Sequence, residues 1–311
     1  MSQEVVIIIG LAASGKSSLS QKYRDQNYVW LNRDNEGGTV ASLVPKLEAN
    51  LLLGHSVVLD NTLITAESRK QFIDICKAKK VPIKCIRMGT SKEDAQYNAC
   101  TRMIKKYGKI LSKEELKKVK SPNMFTASVI FAMAKKFEEP GLDEGFVSVV
   151  SFPFIRLLDP SYPNRALICD FDGTLRRTGS GDKYPRSPND VVILRGRTRK
   201  LKQFADEGYK LLGVSNQSGI AKGVLTKADC IACFKRTNKL LGHDIEYHFC
   251  PHSPVPPCYC RKPQVGLAVL LIERHKLNPS QCLMVGDMTS DKTFARRAGF
   301  QYEDANEFFG E

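Results

Sequence analysis

Five β-branched residues in succession, Val5 to Ile9, run straight into Gly10-Leu11-Ala12-Ala13-Ser14-Gly15-Lys16-Ser17. An unbroken apolar run of this kind suits a strand covered on both faces, the situation of a strand inside a parallel sheet. The residues after it complete the G-x-x-x-x-G-K-S pattern. Its glycines free backbone N–H groups to face phosphate at a helix N-terminus, Lys16 reaches the β- and γ-phosphates, and Ser17 ligates Mg²⁺. Gly10, Ser14, Gly15, Lys16, Ser17 and Ser18 are therefore the candidate positions for a nucleoside triphosphate, taken as ATP. A chance glycine-rich turn is the competing reading, disfavoured by the strand before it and the helix after it.

Later apolar runs also end in polar groups. Val29-Trp30-Leu31 leads into Asn32-Arg33-Asp34, and Val57-Val58-Leu59 into Asp60-Asn61-Thr62. A helix from about Thr65 to Lys80, a strand Pro82–Met88, a helical stretch Lys92–Lys106 and a last strand Phe146–Phe152 follow. This alternation predicts a doubly wound, mainly parallel α/β sheet. Lys109–Lys120 has Lys and Glu at helical spacing and reads as a solvated helix. Asp159-Pro160-Ser161-Tyr162-Pro163 disfavours regular structure, which places a boundary between a domain at 1–155 and another at 164–311.

The second half is organised around Asp170-Phe171-Asp172-Gly173-Thr174, which follows the apolar Ala166-Leu167-Ile168. Two carboxylates one residue apart repel each other unless a cation balances them; an Asx-type turn closing a strand is the plainer alternative. Three later pieces fit the first. Leu211–Asn216 ends in Ser215 and Asn216, Arg261-Lys262-Pro263 supplies a cation, and Leu283–Gly286 ends in Asp287 with Asp291 four residues on. Strands with such ends bring these groups to the carboxyl edge of one parallel sheet, and helices near 196–207, 226–242 and 264–277 complete this second α/β domain. Arg176–Ile193 reads as a short polar insertion too small for a cap domain. Between the second and third pieces, Cys250, His252, Cys258 and Cys260 have the donor types and closeness of a closed tetrahedral zinc site.

Net charge is +14, split evenly: 23 basic and 16 acidic groups in residues 1–150, 24 and 17 in 151–311. Basic surface on both halves suits either one extended polyanion or an ordinary basic protein. No apolar run reaches the roughly 20 residues that cross a bilayer, and Met-Ser-Gln-Glu-Val has no secretory character. Of ten cysteines, three fall in the zinc set, and the others sit mostly in apolar patterns as ordinary buried thiols; an intracellular, reducing compartment, cytoplasmic or nuclear, is expected.

The ordered set DxDGT, Ser-Asn, Lys and GDxxxD resembles the haloacid dehalogenase superfamily of phosphatases. That resemblance implies Asp170 as the nucleophile that becomes an aspartyl-phosphate, and Asp172 as general acid and then base. Ser215 and Lys262 would hold phosphoryl oxygens. Mg²⁺ would be held by Asp170, Asp287 and the carbonyl of Asp172, supported by Asp291. The C-x-H-x5-C-x-C pattern ahead of Arg-Lys-Pro resembles the zinc loop of the histidinol-phosphate and heptose-bisphosphate phosphatases, implying a structural Zn²⁺. Asn32-Arg33-Asp34, Asp60-Asn61-Thr62, Glu67-Ser68-Arg69, Lys136–Pro140 and Glu144-Gly145-Phe146 resemble polynucleotide 5′-kinases. Asp34 is then the general base, a strand-end cap being the plainer alternative, and Asp60 a Walker-B-like or acceptor-contacting carboxylate. Arg102, on a lid helix, is the candidate transition-state arginine, against a solvated helix face. One departure stands out: the basic residue that bacteriophage kinases carry three positions after the base is here Gly37. Kinase first and phosphatase second resembles the bacteriophage-type polynucleotide kinase/3′-phosphatases, which implies DNA or RNA ends as partners, products a ligase can join, and no membrane. A small-molecule kinase fused to a sugar- or histidinol-phosphate phosphatase is the rival reading.

Overall fold

The computed structural model describes residues 3–310. They form two compact units, one running up to Ala99 and including Leu116–Arg156, the other made of Cys100–Glu115 and the residues from Leu157 on. Cys100–Glu115 thus joins the second unit rather than the first domain to which the sequence assigns it. The reason is packing: Met103, Ile104 and Leu111 are buried, and Ile110 lies so close to Gly266 that a Cβ there would meet it at 2.9 Å.

The first unit carries strands β1 (Val5–Ile9), β2 (Val29–Leu31), β3 (Val57–Asp60), β4 (Ile83–Met88) and β5 (Ser148–Phe152), in the order β2-β3-β1-β4-β5. Every pairing is parallel. Strand β1 explains its own composition. Val5, Ile7 and Ile9 enter a core with Leu43, Phe72 and Phe146, while Val6 and Ile8 enter another with Leu19, Val58 and Met88. Successive side chains point to opposite faces, and helices cover both, so no position tolerates a polar group. The chain leaves β1 toward β2 and β3, then crosses back to β4. The carboxyl ends of β1 and β4 therefore flank the switch point where ligands of such sheets bind.

Arg69 closes this unit. Its helix, Ala66–Ala78, is capped by Thr65, and its side chain is fully buried. It makes a two-pronged pair with Glu144 at 2.6 and 2.7 Å and donates to the carbonyls of Leu63 and Glu138. Two short segments far apart in sequence are tied by one planar fork.

The second unit carries β6 (Ala166–Cys169), β7 (Arg176–Thr178), β8 (Val191–Ile193), β9 (Lys210–Asn216), β10 (Glu246–Cys250), β11 (Leu283–Gly286) and β12 (Gln301–Asp304). Its main sheet has the order β10-β9-β6-β11-β12, again wholly parallel. Here the switch point lies between β6 and β11, whose ends deliver Asp170 and Asp287. The helix Gly266–His275 has seven successive buried residues, Gly266 to Ile272, as a helix covered all round must.

Two elements differ from the sequence reading. The stretch 176–193 is an antiparallel hairpin of β7 and β8, with Arg176, Thr178 and Val191 buried; a two-stranded ribbon so short has no periodicity to read. The expected helix Lys109–Lys120 narrows to Lys113–Lys118. Among the described residues no helix is long and apolar enough to cross a membrane.

Candidate active sites

In the first unit the loop after β1 is held from behind by side chains on its carbonyls. Lys16 Nζ, buried, donates to Gly10 O at 3.1 Å and Leu11 O at 2.8 Å. Thr90 Oγ1 donates to Ser14 O at 2.8 Å, and Asn98 Nδ2 to Ala13 O at 2.9 Å. Ala13 and Gly15 take left-handed conformations, φ 61° and 91°. That alternation turns neighbouring N–H groups to one side, the concave arrangement that receives anions. Ser14 Oγ is buried without a hydrogen-bond partner, and a phosphate oxygen would satisfy it. The loop thus fits a triphosphate at the start of the helix Lys16–Arg24. Thr90 and Asn98 were not picked out from the sequence; Thr90 alone carried a signal, as a polar residue just past a strand end.

The ends of β2 and β3 are cross-linked. Asn32 Nδ2 donates to Asp60 O at 2.6 Å, and Asn61 Nδ2 to Leu31 O at 3.2 Å. Asp60 is buried, its Oδ2 3.3 Å from Ser20 Oγ on the helix after the phosphate loop. Asp34 stands in the first turn of the short helix Arg33–Glu36, whose N-cap is Asn32. Its carboxylate is 36% exposed and 2.8 Å from Arg33 Nη2, open enough to meet an acceptor hydroxyl. Gly37 ends that helix at φ 73°, a conformation a basic side chain would hold only under strain. Arg102 is placed in the second unit, where burial lowers its pKa beside Tyr259.

In the second unit the polar groups expected at the strand ends converge. Lys262 Nζ, itself buried, lies 3.0 Å from Asp170 Oδ1 and 2.7 Å from Asp291 Oδ1 and donates to Val214 O at 2.8 Å. Asn216 sets this lysine through a reciprocal pair: its amide donates to Lys262 O at 3.0 Å and accepts from Lys262 N at 2.9 Å. Burial pushes the Asp170 carboxyl up to about 6 against the pull of Lys262, with Asp291 and Asp172 adding to the push. Burial opposes the charge on Lys262, yet Asp170 and Asp291 hold its pKa above the ordinary lysine value. Asp287 is raised by burial and by Asp170.

Asp170, Asp287 and Asp291 each bring a carboxylate oxygen within 4.8 Å of the others. Three carboxylates facing one ammonium leave charge for a divalent cation, so the donors fit Mg²⁺. The side chain of Asp172 is held separately, by Arg176 Nε and Gln217 Nε2, each at 2.8 Å. Ser215 Oγ accepts from the same Gln217 amide at 2.9 Å, which leaves its own proton to be donated. Arg176 and Gln217 are further residues of this site that the sequence did not single out.

Beyond β10 the loop gathers a second donor set. Cys250 Sγ and Cys260 Sγ each lie 3.6 Å from Cys258 Sγ, and His252 Nδ1 is 3.6 Å from Cys250 Sγ and 3.2 Å from Cys260 Sγ. A tetrahedral zinc with sulfur at about 2.3 Å separates its sulfurs by about 3.8 Å. These distances match, and the set fits Zn²⁺.

A phosphate-loop unit and a haloacid dehalogenase-type unit in one chain define a two-domain enzyme of phosphoryl transfer. Residues 165–309 match the family described as Polynucleotide kinase 3 phosphatase. A probable D-glycero-D-manno-heptose-1,7-bisphosphate 7-phosphatase of Thermoplasma volcanium is 30% identical over 142 residues, 43% of this chain and 92% of that protein. The bifunctional polynucleotide phosphatase/kinase of Schizosaccharomyces pombe is 34% identical over 158 residues, 50% of this chain and 35% of that protein. This chain therefore spans about a third of the length of that relative. In the structure of the Pnkp1/Rnl/Hen1 RNA repair complex, a chain at 17% identity superposes with TM-score 0.33 over 97% of this chain and 95% of its own; a likeness so low carries nothing about function. The second half of the chain is thus similar both to the polynucleotide kinase 3 phosphatases and to the heptose-bisphosphate phosphatases.

Proposed function

We propose that this chain heals nucleic-acid ends, phosphorylating 5′-OH ends with ATP in its first half and hydrolysing 3′-phosphate ends in its second. The observation that carries the reading is a complete phosphate loop in the same chain as a second half, residues 165–309, that matches the Polynucleotide kinase 3 phosphatase model. In the kinase half, Asp34 takes the proton of the 5′-hydroxyl as its oxygen attacks the γ-phosphorus, while Lys16 and the loop amides hold the phosphates. In the phosphatase half, Asp170 attacks phosphorus. Ser215 and Lys262 hold the phosphoryl oxygens, and Asp172 protonates the leaving 3′-oxygen. Asp172 then takes a proton from the water that frees Asp170. Mg²⁺, when bound at Ser17 or among Asp170, Asp287 and Asp291, offsets phosphoryl charge. Cys250, His252, Cys258 and Cys260 would hold Zn²⁺ as a structural ion, bracing the loop that leads to Lys262. The seven cysteines outside that set are all buried thiols, which suits a reducing compartment. The products are the ends a ligase consumes.

The test is an assay of labelled 5′-OH and 3′-phosphate oligonucleotides beside heptose bisphosphate and histidinol phosphate. Lys16→Ala and Asp34→Asn should each cut 5′-phosphorylation by at least ~10²-fold and spare the phosphatase. Asp170→Asn should do the reverse. The coverage of the Thermoplasma phosphatase favours a second reading, small-molecule phosphate hydrolysis, and turnover of the sugar phosphate alone would establish it instead.

A further inference from the structure

We propose that Arg176 is a positioning residue for the phosphatase reaction, fixing the Asp172 carboxylate where it serves the leaving oxygen. This rests on the reading of Asp172 as the acid and base of that reaction. The turn Phe171–Arg176 closes on itself: the N–H groups of Leu175 and Arg176 both donate to Phe171 O, and Gly173 N donates to Arg176 O. That turn brings Arg176 back onto Asp172, where Nε meets Oδ1 at 2.8 Å. The guanidinium is itself immobilised. It is 1% exposed, lies 5.4 Å from the Phe171 ring and 4.8 Å from the Phe234 ring, and donates from Nη1 to Thr237 Oγ1 at 2.8 Å. Thr237 is buried and is anchored in turn to Cys233 O.

Burying a guanidinium is a poor way to stabilise a fold, because an apolar side chain of similar volume does as well or better. Among the described ion pairs the acidic partner of Arg176 is Asp172. Both oxygens of Asp172 are thus satisfied from fixed donors, Arg176 at Oδ1 and Gln217 at Oδ2. The reaction asks one thing of this arrangement. As the bond between Asp170 oxygen and phosphorus forms and the bond to the leaving oxygen breaks, the proton of Asp172 passes to that oxygen. As water then attacks phosphorus, the bond from phosphorus to the Asp170 oxygen breaks, phosphate leaves, and Asp172 takes a proton from that water. Arg176 keeps all its protons throughout, and its part is geometric, as position decides proton-transfer efficiency.

The test compares an oligonucleotide 3′-phosphate, an alkyl leaving group that needs protonation, with 4-nitrophenyl phosphate, which needs little. Arg176→Met keeps the apolar stem and removes the donors. It should lower kcat on the 3′-phosphate by about 10²-fold while changing the aryl rate by only a few fold, with KM unmoved. With Asp172→Asn already present, Arg176→Met should add almost nothing. Equal losses on the two substrates, or losses that multiply in the double variant, overturn the inference, since a residue that merely supports the fold slows both alike. If Asp172→Asn itself slows both substrates equally, the acid reading fails instead. Thr237→Val, which keeps the shape but removes the acceptor that anchors the guanidinium, carries the same leaving-group prediction in smaller degree and decides the matter should Arg176→Met not fold.

Discussion

Gly173 is a position where a single methyl group, on a left-handed backbone, would press on the phosphatase centre. It has φ 85°, and a Cβ there would come 2.4 Å from Asp287 Oδ2 and 2.8 Å from its Cγ. Such atoms do not approach closer than 3.0 Å in practice, so Asp287 must recede by about 0.6 Å or rotate away. Rotation is sterically cheap for so short a side chain, but it removes one of the three carboxylates that converge with Asp170 and Asp291. The left-handed backbone adds roughly 1–2 kcal/mol of strain for any residue with a Cβ. A loss of that size lowers the melting temperature of a unit this large by about 2–8 °C. Displacing a catalytic group by a sizeable fraction of an ångström costs on the order of 10²-fold in rate. Gly173→Ala should therefore stay folded, keep its kinase activity, and lose phosphatase turnover by about 10²-fold, with a higher Mg²⁺ requirement. The assay is a Mg²⁺ titration of 3′-phosphate hydrolysis beside thermal melting and 5′-phosphorylation. Wild-type turnover at the wild-type Mg²⁺ midpoint would refute the reasoning, because it would mean that Asp287 does not need to stand where it does.

Cys258→Ser should release zinc and destabilise the second unit while the kinase persists, since binding energy at a closed site is folding energy; active protein without zinc on elemental analysis would end the structural reading. Glu246 supplies a pH signature. Burial would raise its carboxyl, but hydrogen bonds from His248 and Arg274 and the charge of His275 hold it at about 2, below the ordinary 4.5. A depressed carboxylate stabilises the fold above its unfolded value and loses that contribution as pH falls. Between pH 4.5 and about 2, Glu246→Gln should therefore melt with a shallower acid slope than the parent, and superposable slopes would count against the pairing.

What the sequence determined by itself is what short spacing can encode. The run Val5–Ile9 followed by a glycine-rich loop admits one local geometry, a central strand feeding a helix N-terminus, and the structure has it. The Cys250–Cys260 cluster needs only eleven residues to bring four donors together. The ends of β6, β9 and β11 could be expected at one sheet edge because parallel strands with right-handed crossovers all point the same way. Only the tertiary structure decided which side chains those ends meet. Arg176 looked like part of a polar insertion, but it is buried against Phe234 and Thr237, more than fifty residues away, and no local pattern announces a partner at that distance. Asn98 on the loop carbonyl and Gln217 between Ser215 and Asp172 were hidden for the same reason. Arg102 and its neighbours followed buried apolar contacts into the second unit, against the order of the chain. Spacing along a chain reports what lies within a turn or a loop; hydrogen-bond partners across a core depend on how the layers pack, and that is set by the whole sheet at once.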